Sequence, residues 1–127
     1  MVRGIRGAIT VERDNQQEIL DATEELLKEI IKGNEIEAEQ VAQALITVTE
    51  DLKSTFPAIA LRRFPGWSLV PVTCAQEIPV VGSLPRCIRF LITVNTDKKQ
   101  ADIKHIYLRE AKKLRPDLSL TSESKSS

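Results

Sequence analysis

An arginine interrupts the most apolar stretch of the chain. Arg89 lies inside the run from Cys87 to Val94, in which Thr93 is the one other polar residue. Such a run predicts a β-strand buried on both faces, because apolar and β-branched side chains pack against a core. A guanidinium keeps its proton in proteins, and burying it without a partner is costly. The fold must therefore place an anion beside Arg89, either a carboxylate of the protein or a ligand.

Length and charge restrict the class of protein. The chain has 127 residues, which predicts one domain, and its 18 basic and 18 acidic side chains cancel. A zero net charge gives no reason to expect nucleic acid as a partner. No stretch of about 18 apolar residues and no signal-peptide core is present, so we expect a cytoplasmic protein without membrane contact. Cys74, Cys87 and His105 lack the spacing of a zinc site or a disulfide framework, which predicts reduced thiols and no metal.

Strand and helix signals alternate along the chain. Asp14 is predicted to begin a helix, with Gln17 in the capping-box position, and Gly33 with Asn34 closes it. The apolar residues between follow the 3.6-residue period of a helix. We expect an α/β domain with a mixed β-sheet and helices packed on one side. Strands are predicted at 2–10, 42–49, 67–73, 87–96 and 104–112, the one at 67–73 broken by Pro71. Short helical segments are predicted at 38–40, 57–64 and 100–103.

The chain ends in a polar stretch. Residues 119–127 are rich in serine and carry too few apolar side chains to offset the entropy of ordering them. We therefore expect a single domain over residues 1–118 and a disordered tail over 119–127.

Four polar side chains are unexpected where they occur, because each lies in a predicted apolar strand or, for Glu77, just after one. They are Arg6, Glu77, Arg89 and Tyr107, which together supply two cations, one anion and one phenol. If they converge, they form a pocket for a compact dianion that carries a hydroxyl, because arginine binds carboxylates through paired hydrogen bonds.

Each candidate also has a structural interpretation. Arg89 and Glu77 could form an ion pair that only supports the fold, and Arg6 could lie on a solvated strand edge. Tyr107 could be a core tyrosine with its hydroxyl at the surface. Four further residues have similar alternatives, because Cys74 could be a small buried side chain, Phe56 and Leu114 could be packing residues, and Arg62 could lie on a solvated helix face. Residue spacing leaves these alternatives open.

Several segments, in their order and spacing, carry a resemblance to a known family. They are Arg3-Gly4-Ile5-Arg6-Gly7-Ala8, Thr10-Val11-Glu12-Arg13-Asp14, Phe56-Pro57-Ala58, Gly66-Trp67, Val70-Pro71-Val72-Thr73-Cys74 with Gln76-Glu77, Cys87-Ile88-Arg89, His105 with Tyr107-Leu108, and Leu114-Arg115-Pro116-Asp117-Leu118. Over residues 2–120 the chain resembles the small, trimeric, monofunctional chorismate mutases of bacteria.

The resemblance implies an activity. These enzymes convert chorismate to prephenate by an intramolecular [3,3] rearrangement, a shikimate-pathway step toward phenylalanine and tyrosine. The reaction involves no proton transfer, no covalent enzyme intermediate and no cofactor, and the chain offers no recognisable pair of nucleophile and base. Catalysis then requires a reactive substrate conformer and a fixed positive charge at the ether oxygen. The resemblance also implies a homotrimer with a barrel-like core and active sites between subunits.

The resemblance assigns roles to single residues. Arg89 matches the position that faces the ether oxygen and a carboxylate. Arg6 matches a carboxylate-binding position near the ether, and Tyr107 matches a carboxylate contact. Glu77 and the backbone or thiol of Cys74 match contacts to the ring hydroxyl.

Further residues match the periphery of that site. Phe56, Thr73 and Leu114 match its walls, whereas Arg62 and Arg115 match cations that attract the dianion. Ile59 stands where some members carry a lysine, so one peripheral charge is absent.

Two other protein classes remain as alternatives. A noncatalytic trimer that binds small carboxylates would keep the arginines without turnover, and a trimeric imine deaminase would also present an arginine to a carboxylate. The combination of Cys74, Glu77 and Cys87-Ile88-Arg89 with the segment from Leu114 to Leu118 favours the mutase over the deaminase.

Overall fold

A five-stranded mixed sheet forms the centre of the protein. The computed structural model describes residues 1–115, so the predicted tail at 119–127 lies outside the described residues. The strands are β1 (Val2–Thr10), β2 (Val41–Val48), β3 (Val72–Gln76), β4 (Cys87–Asn95) and β5 (Ile106–Tyr107). They lie in the order β3-β2-β4-β1-β5, with β4 antiparallel to β1 and β2, and with β5 and β3 parallel to their neighbours. The predicted mixed sheet is confirmed.

The helix α1 spans Gln16–Asn34 and begins two residues later than predicted. Its N-cap is Asn15, whose side chain accepts a hydrogen bond from the Glu18 N–H at 3.1 Å. The predicted capping box is wrong, because the Gln17 side chain donates to Asp21 instead, at 2.8 Å.

Asp14 does not begin the helix as predicted but binds a loop. Its carboxylate accepts the backbone N–H groups of Lys53 at 2.9 Å and Ser54 at 3.0 Å. These hydrogen bonds, the one from Lys53 foremost, lower the pKa of Asp14, because they stabilise the ionised form. Asp14 therefore ties the chain before α1 to the loop after β2.

The end of α1 agrees with the prediction to one residue. The helix ends at Asn34, but the residue in the left-handed conformation is Glu35, with φ of 52°, rather than a glycine. The Asn34 side chain accepts the Lys104 N–H at 2.8 Å and donates to the Lys104 carbonyl at 2.9 Å. This pair of hydrogen bonds attaches the segment before β5 to the end of α1.

One face of the sheet is covered by α1 and the short 3₁₀ segment Pro57–Arg63. Helices on one side of the sheet were predicted and are confirmed. β1 approaches α1 closely at Gly7, where an added Cβ would lie 2.7 Å from Ile30 Cδ1. A larger residue there would have to displace the ends of the Ile30 and Leu26 side chains. The largest buried side chains of this core include Ile5, Ile9, Leu26, Leu27, Ile46, Ile88 and Ile92.

The opposite face of the sheet, which we call the open face, carries Arg6, Leu45, Thr47, Arg89 and Leu91. These residues share it because Leu91 pairs with both Arg6 and Leu45, and Arg89 pairs with Thr47. Leu45 is 36% exposed and Leu91 is 44% exposed. The expectation that the run around Arg89 is buried on both faces is therefore wrong for a single subunit.

Two predicted strands are shorter than expected, because part of each forms a 3₁₀ segment. Residues 67–73 were expected as a strand, but Trp67–Leu69 forms a 3₁₀ turn after Gly66, whose φ is 81°. Pro71 lacks an N–H for the sheet, and β3 begins only at Val72.

The strand predicted at 104–112 is reduced to the two residues of β5. The 3₁₀ segment Arg109–Leu114 follows, because Arg109 adopts a φ of 55° that no strand allows. Its guanidinium donates to the Thr10 carbonyl at 3.0 Å and pairs with Glu25 at 2.9 Å. The short helical segments Ala38–Gln40, Pro57–Arg63 and Gln100–Asp102 agree with the predictions.

Candidate active site

A cavity on the open face brings together three of the four central residues that the sequence singled out. Its volume is about 230 Å³. Arg6 from β1, Arg89 from β4 and Tyr107 from β5 all line it. Strand register explains this, because Ala8 pairs with Arg89 on one side and with Tyr107 on the other. The remaining lining residues are Gly7, Leu45, Thr47, Phe90 and Leu91.

Glu77, the fourth central residue, contacts Arg89. Its Oε2 lies 2.7 Å from Arg89 Nε, and the two side chains are 18% and 40% exposed. Within residues 1–115 the Nε–H group makes no aligned hydrogen bond, so the pair is a charge contact. Arg89 therefore has a carboxylate partner and still presents part of its guanidinium to the cavity.

Thr47 is a site residue that sequence reasoning missed. Its hydroxyl donates to Glu77 Oε2 at 2.8 Å, and it lies beside Arg89 in the register of β2 and β4. One carboxylate oxygen is thus held between a hydroxyl and a guanidinium. A threonine in a strand is common, so only the pairing of β2 with β4 could have revealed it.

His105 supports the cavity from the edge of the sheet. Its Nδ1 accepts the backbone N–H of Arg6 at 3.0 Å. Burial lowers the pKa of His105, and the nearby positive charges of Arg115 and Arg6 lower it further. The imidazole is therefore neutral at pH 7, as its acceptor role requires.

The two cysteines occupy opposite faces of the sheet. Cys87 is buried on the same face as Arg89, and burial raises the pKa of its thiol to about 11. That thiol stays protonated at neutral pH and is a poor nucleophile. Cys74 packs against the core that α1 covers, so its thiol lies on the other face from Arg89. Both thiols are free, as predicted.

The predicted wall residues do not line this cavity within one subunit. Phe56 precedes the 3₁₀ segment Pro57–Arg63 and is 69% exposed, and Arg62 is exposed on that segment. Thr73 is exposed on β3, where it pairs with Leu45. The structure leaves these three side chains free of the cavity and open to solvent.

The end of the described chain passes near the cavity. Leu114 packs in a small cluster with Tyr107, Ala8 and Cys87. Arg115 lies close enough to His105 to affect its pKa. Leu114 therefore lies beside Tyr107, and Arg115 lies near His105.

A larger cavity, of about 750 Å³, lies elsewhere and contains none of the predicted site residues. Its lining mixes acidic and basic side chains, several of which already form ion pairs, such as Glu110 with Lys113 and Glu18 with Arg13. Four carboxylates and three cations line it, which suits a dianion poorly, so the smaller cavity on the open face is the better candidate. Within residues 1–115, no helix is both long and apolar enough to cross a membrane.

Comparison with known proteins gives consistent matches. The family model for chorismate mutase type I matches residues 2–118. Chorismate mutase AroH of Bacillus subtilis (strain 168) is 54% identical over 121 residues, which cover 95% of each chain. AroH of Thermus thermophilus is 55% identical over 119 residues, covering 93% of this chain and 97% of that protein. The solved chorismate mutase from Clostridium thermocellum superposes with a TM-score of 0.84 at 46% identity, covering 87% of this chain and 97% of that one.

Proposed function

The chain belongs to the chorismate mutase type I family, and on that premise we propose that the cavity on the open face is where it converts chorismate to prephenate. One observation carries the assignment of the site. Two guanidinium groups and a phenol hydroxyl line a single cavity, and a carboxylate is in contact with one of the guanidinium groups. This set suits a dianion that also carries a hydroxyl. The reaction is a step of aromatic amino acid biosynthesis.

The reaction makes few chemical demands on the protein. A carbon–oxygen bond breaks while a carbon–carbon bond forms within one molecule, and no proton moves. The protein must hold the substrate in its compact conformer and stabilise the negative charge that grows on the ether oxygen. A neutral, buried Cys87 thiol and a neutral His105 are consistent with a site that performs no nucleophilic or acid–base step.

Arg89 is the proposed source of the stabilising charge. The contact between its Nε and Glu77 fixes the guanidinium, and the 40% exposure of the side chain leaves nitrogen atoms available to the ether oxygen. Because the charge is oriented before reaction, little reorganisation is needed as the bond breaks.

Arg6 and Tyr107 are the proposed carboxylate contacts. Both line the cavity with Arg89, so a dianion in the cavity meets a second guanidinium and a phenol donor. Glu77 is the proposed acceptor for the ring hydroxyl. Thr47 and Arg89 both contact its Oε2, which leaves Oε1 as the oxygen for that hydroxyl.

We propose a homotrimer in which a second subunit completes the site. Leu45 and Leu91 are exposed on the open face of one subunit, and apolar sheet surface of this kind is typical of an interface. The cavity also lacks the walls that the family pattern expects. Phe56, Arg62, Thr73 and the backbone of Cys74 would come from the neighbouring subunit, with Leu114 and Arg115 from the subunit that supplies Tyr107.

The two alternative functions are less well supported. A noncatalytic carboxylate-binding trimer and an imine deaminase would both keep an arginine in a cavity. Neither accounts for a family match over residues 2–118 together with relatives more than half identical to this chain. A cytoplasmic location stays a prediction.

The direct experiment is turnover. Purified protein is mixed with chorismate, the loss of chorismate absorbance in the ultraviolet is followed, and prephenate is identified as the product. We expect catalytic turnover without any added metal or cofactor. Folded, assembled protein that leaves chorismate unchanged would exclude the proposed function.

The absence of proton transfer gives a second expectation. No proton moves in the reaction, so no group of the protein has to give up or take up a proton between about pH 7 and 9. We therefore expect kcat to vary little over this range. A bell-shaped kcat profile centred there would show that an acid or a base takes part.

A further inference from the structure

The single histidine of the chain holds the backbone of a proposed substrate-binding residue. His105 lies just before β5, and its Nδ1 accepts the Arg6 N–H at 3.0 Å. The imidazole itself does not line the cavity, whereas the Arg6 side chain does. His105 therefore acts on the cavity through Arg6.

The sheet leaves the Arg6 N–H without a strand partner. β5 pairs with β1 at only two positions, Gly7 with Ile106 and Ala8 with Tyr107. A regular parallel ladder extended by one residue would pair the Arg6 N–H with the Lys104 carbonyl. That carbonyl instead accepts from Asn34 Nδ2 at 2.9 Å. The imidazole of His105 thus takes the place of the missing backbone acceptor.

We propose that His105 is a positioning residue for the reaction, whose neutral imidazole fixes Arg6 at the cavity and whose protonation at acidic pH releases it. The inference rests on the proposed function and names a residue and a pH response within the same site. An imidazolium has two N–H donors and no acceptor, so it cannot hold an N–H group. Protonation would break the bond and place a positive charge beside the Arg6 backbone.

The surroundings of the imidazole favour the neutral form. Arg6 on β1 and Arg115 beyond the last 3₁₀ segment are the charged groups that act on it, and both are cationic. On α1, the uncharged Asn34 binds the backbone of Lys104, the residue before His105. With burial acting in the same direction, the pKa of His105 is lowered.

The sign of the pH effect follows from that shift. A histidine whose pKa is lower in the folded protein than in the unfolded chain opposes protonation of the folded state. The Arg6 bond is therefore intact above about pH 6.5 and is lost as the pH falls through the lower pKa of the folded protein. The acid limb of kcat/KM should lie below the ordinary titration range of histidine.

One test does not depend on turnover. Because the chain holds one histidine, nitrogen-15 NMR of the assembled protein reports its titration without ambiguity. We expect the Nε2–H tautomer at pH 7.5 and a pKa below about 6.5. A proton on Nδ1 at that pH would overturn the inference and leave the proposed function untouched.

Two variants distinguish the loss of the hydrogen-bond acceptor at residue 105 from the loss of side-chain packing. Asn Oδ1 and His Nδ1 are both bonded to Cγ, so they lie the same number of bonds from the backbone. Asn does not titrate. At pH 8 we expect His105→Ala to lower kcat/KM about tenfold, near the upper end of what the loss of one hydrogen bond implies. We expect His105→Asn to retain kcat/KM within about threefold, a smaller loss because the acceptor remains. Thermal unfolding and sedimentation would confirm that both variants fold and assemble.

The pH profile gives the decisive comparison. Wild-type protein should lose kcat/KM with a one-proton slope as the pH falls below about 6.5, and the His105→Asn protein should lack that limb. Equal kcat/KM in wild type and His105→Ala at pH 8 would overturn the inference. The same acid limb in wild type and His105→Asn would also overturn it. Failure of the proposed function differs from both, because wild type would then show no turnover at pH 8.

Discussion

At the scale of single residues, one carboxylate oxygen determines how the cavity is arranged. Glu77 Oε2 receives the Thr47 hydroxyl at 2.8 Å and lies 2.7 Å from Arg89 Nε. Two contacts on one oxygen fix the rotation of the carboxylate. The position of Arg89 and the direction of Glu77 Oε1 are therefore coupled. Thr47 thus influences both the charge that Arg89 is proposed to offer the ether oxygen and the proposed acceptor for the ring hydroxyl.

Removing the Thr47 hydroxyl tests this coupling. Thr47→Val keeps the shape of the side chain but removes the donor, so we expect kcat/KM for chorismate to fall about tenfold. Thr47→Ser keeps the hydroxyl and should stay much closer to wild type. Steady-state kinetics of the three proteins give the comparison. A Thr47→Val enzyme with wild-type kcat/KM would show that the hydroxyl is dispensable.

The sequence singled out the charged residues of the candidate site but not the residues that form hydrogen bonds to them. Arg6, Arg89 and Tyr107 are conspicuous because polar side chains are rare in apolar strands, and the structure brings them together. Thr47 and His105 act through hydrogen bonds across strand pairs. Those pairs connect residues far apart in the chain, so local sequence patterns do not contain them.

At the scale of secondary-structure elements, local signals predicted positions well and ends poorly. The period of α1 and the length of β1 follow from residue patterns. The start of α1 depends on whether Asp14 or Asn15 accepts from the helix, and both residue types are good caps. Asp14 accepts hydrogen bonds from the loop after β2, so Asn15 is the residue that caps the helix.

The N-cap of α1 can be tested alone. Asn15→Ala removes the acceptor for the Glu18 N–H, so we expect the free energy of unfolding to fall by about 1 kcal/mol. Asn15→Asp keeps an acceptor and should cost less. Urea unfolding at one fixed protein concentration measures both, because the stability of an oligomer depends on concentration. Unfolding curves that coincide for Asn15→Ala and wild type would show that the cap contributes nothing.

The strand predicted at 104–112 is shorter than expected for a similar reason. The pattern over 104–112 contains apolar residues suited to a strand, but Arg109 turns the chain to reach Thr10 and Glu25. These two contacts lie 99 and 84 residues away along the chain, so no window of local sequence reveals them. The short β5 that results is what leaves the Arg6 N–H for His105.

At the scale of the whole molecule, the cavity of a single chain lacks the walls that the family pattern expects. Arg6, Arg89 and Tyr107 line it, while Phe56 points to solvent with 69% of its surface exposed. A site between subunits would use both surfaces and would explain exposed leucines on the open face. Single-chain sequence patterns do not reveal an interface of this kind, because an apolar residue fits a core and an interface equally well.

Mixed trimers test whether the site is shared. Arg89→Ala removes the cation from one side of the proposed interface, and Phe56→Asp places a repelling carboxylate on the other. We expect each protein to be nearly inactive alone. Equal co-expression should restore about a quarter of wild-type activity, because random cyclic assembly gives each interface about a one-in-four chance of two intact halves.

The contrary outcome of the mixing experiment is informative as well. Mixed trimers that stay as inactive as the two parent proteins would place both residues in the same subunit's site. Separately tagged chains, purified through both tags, would establish that the trimers really contain both variants.

The kcat of assembled Arg89→Ala protein tests the central claim most directly. Arg63→Ala is the matched control, because Arg63 pairs with Asp21 and Glu24 on α1, away from the open face. We expect Arg89→Ala to lower kcat for chorismate about a hundredfold or more, roughly 3 kcal/mol, with the oligomeric state unchanged. Arg63→Ala should keep wild-type kcat. A wild-type kcat in the Arg89→Ala protein would contradict the account.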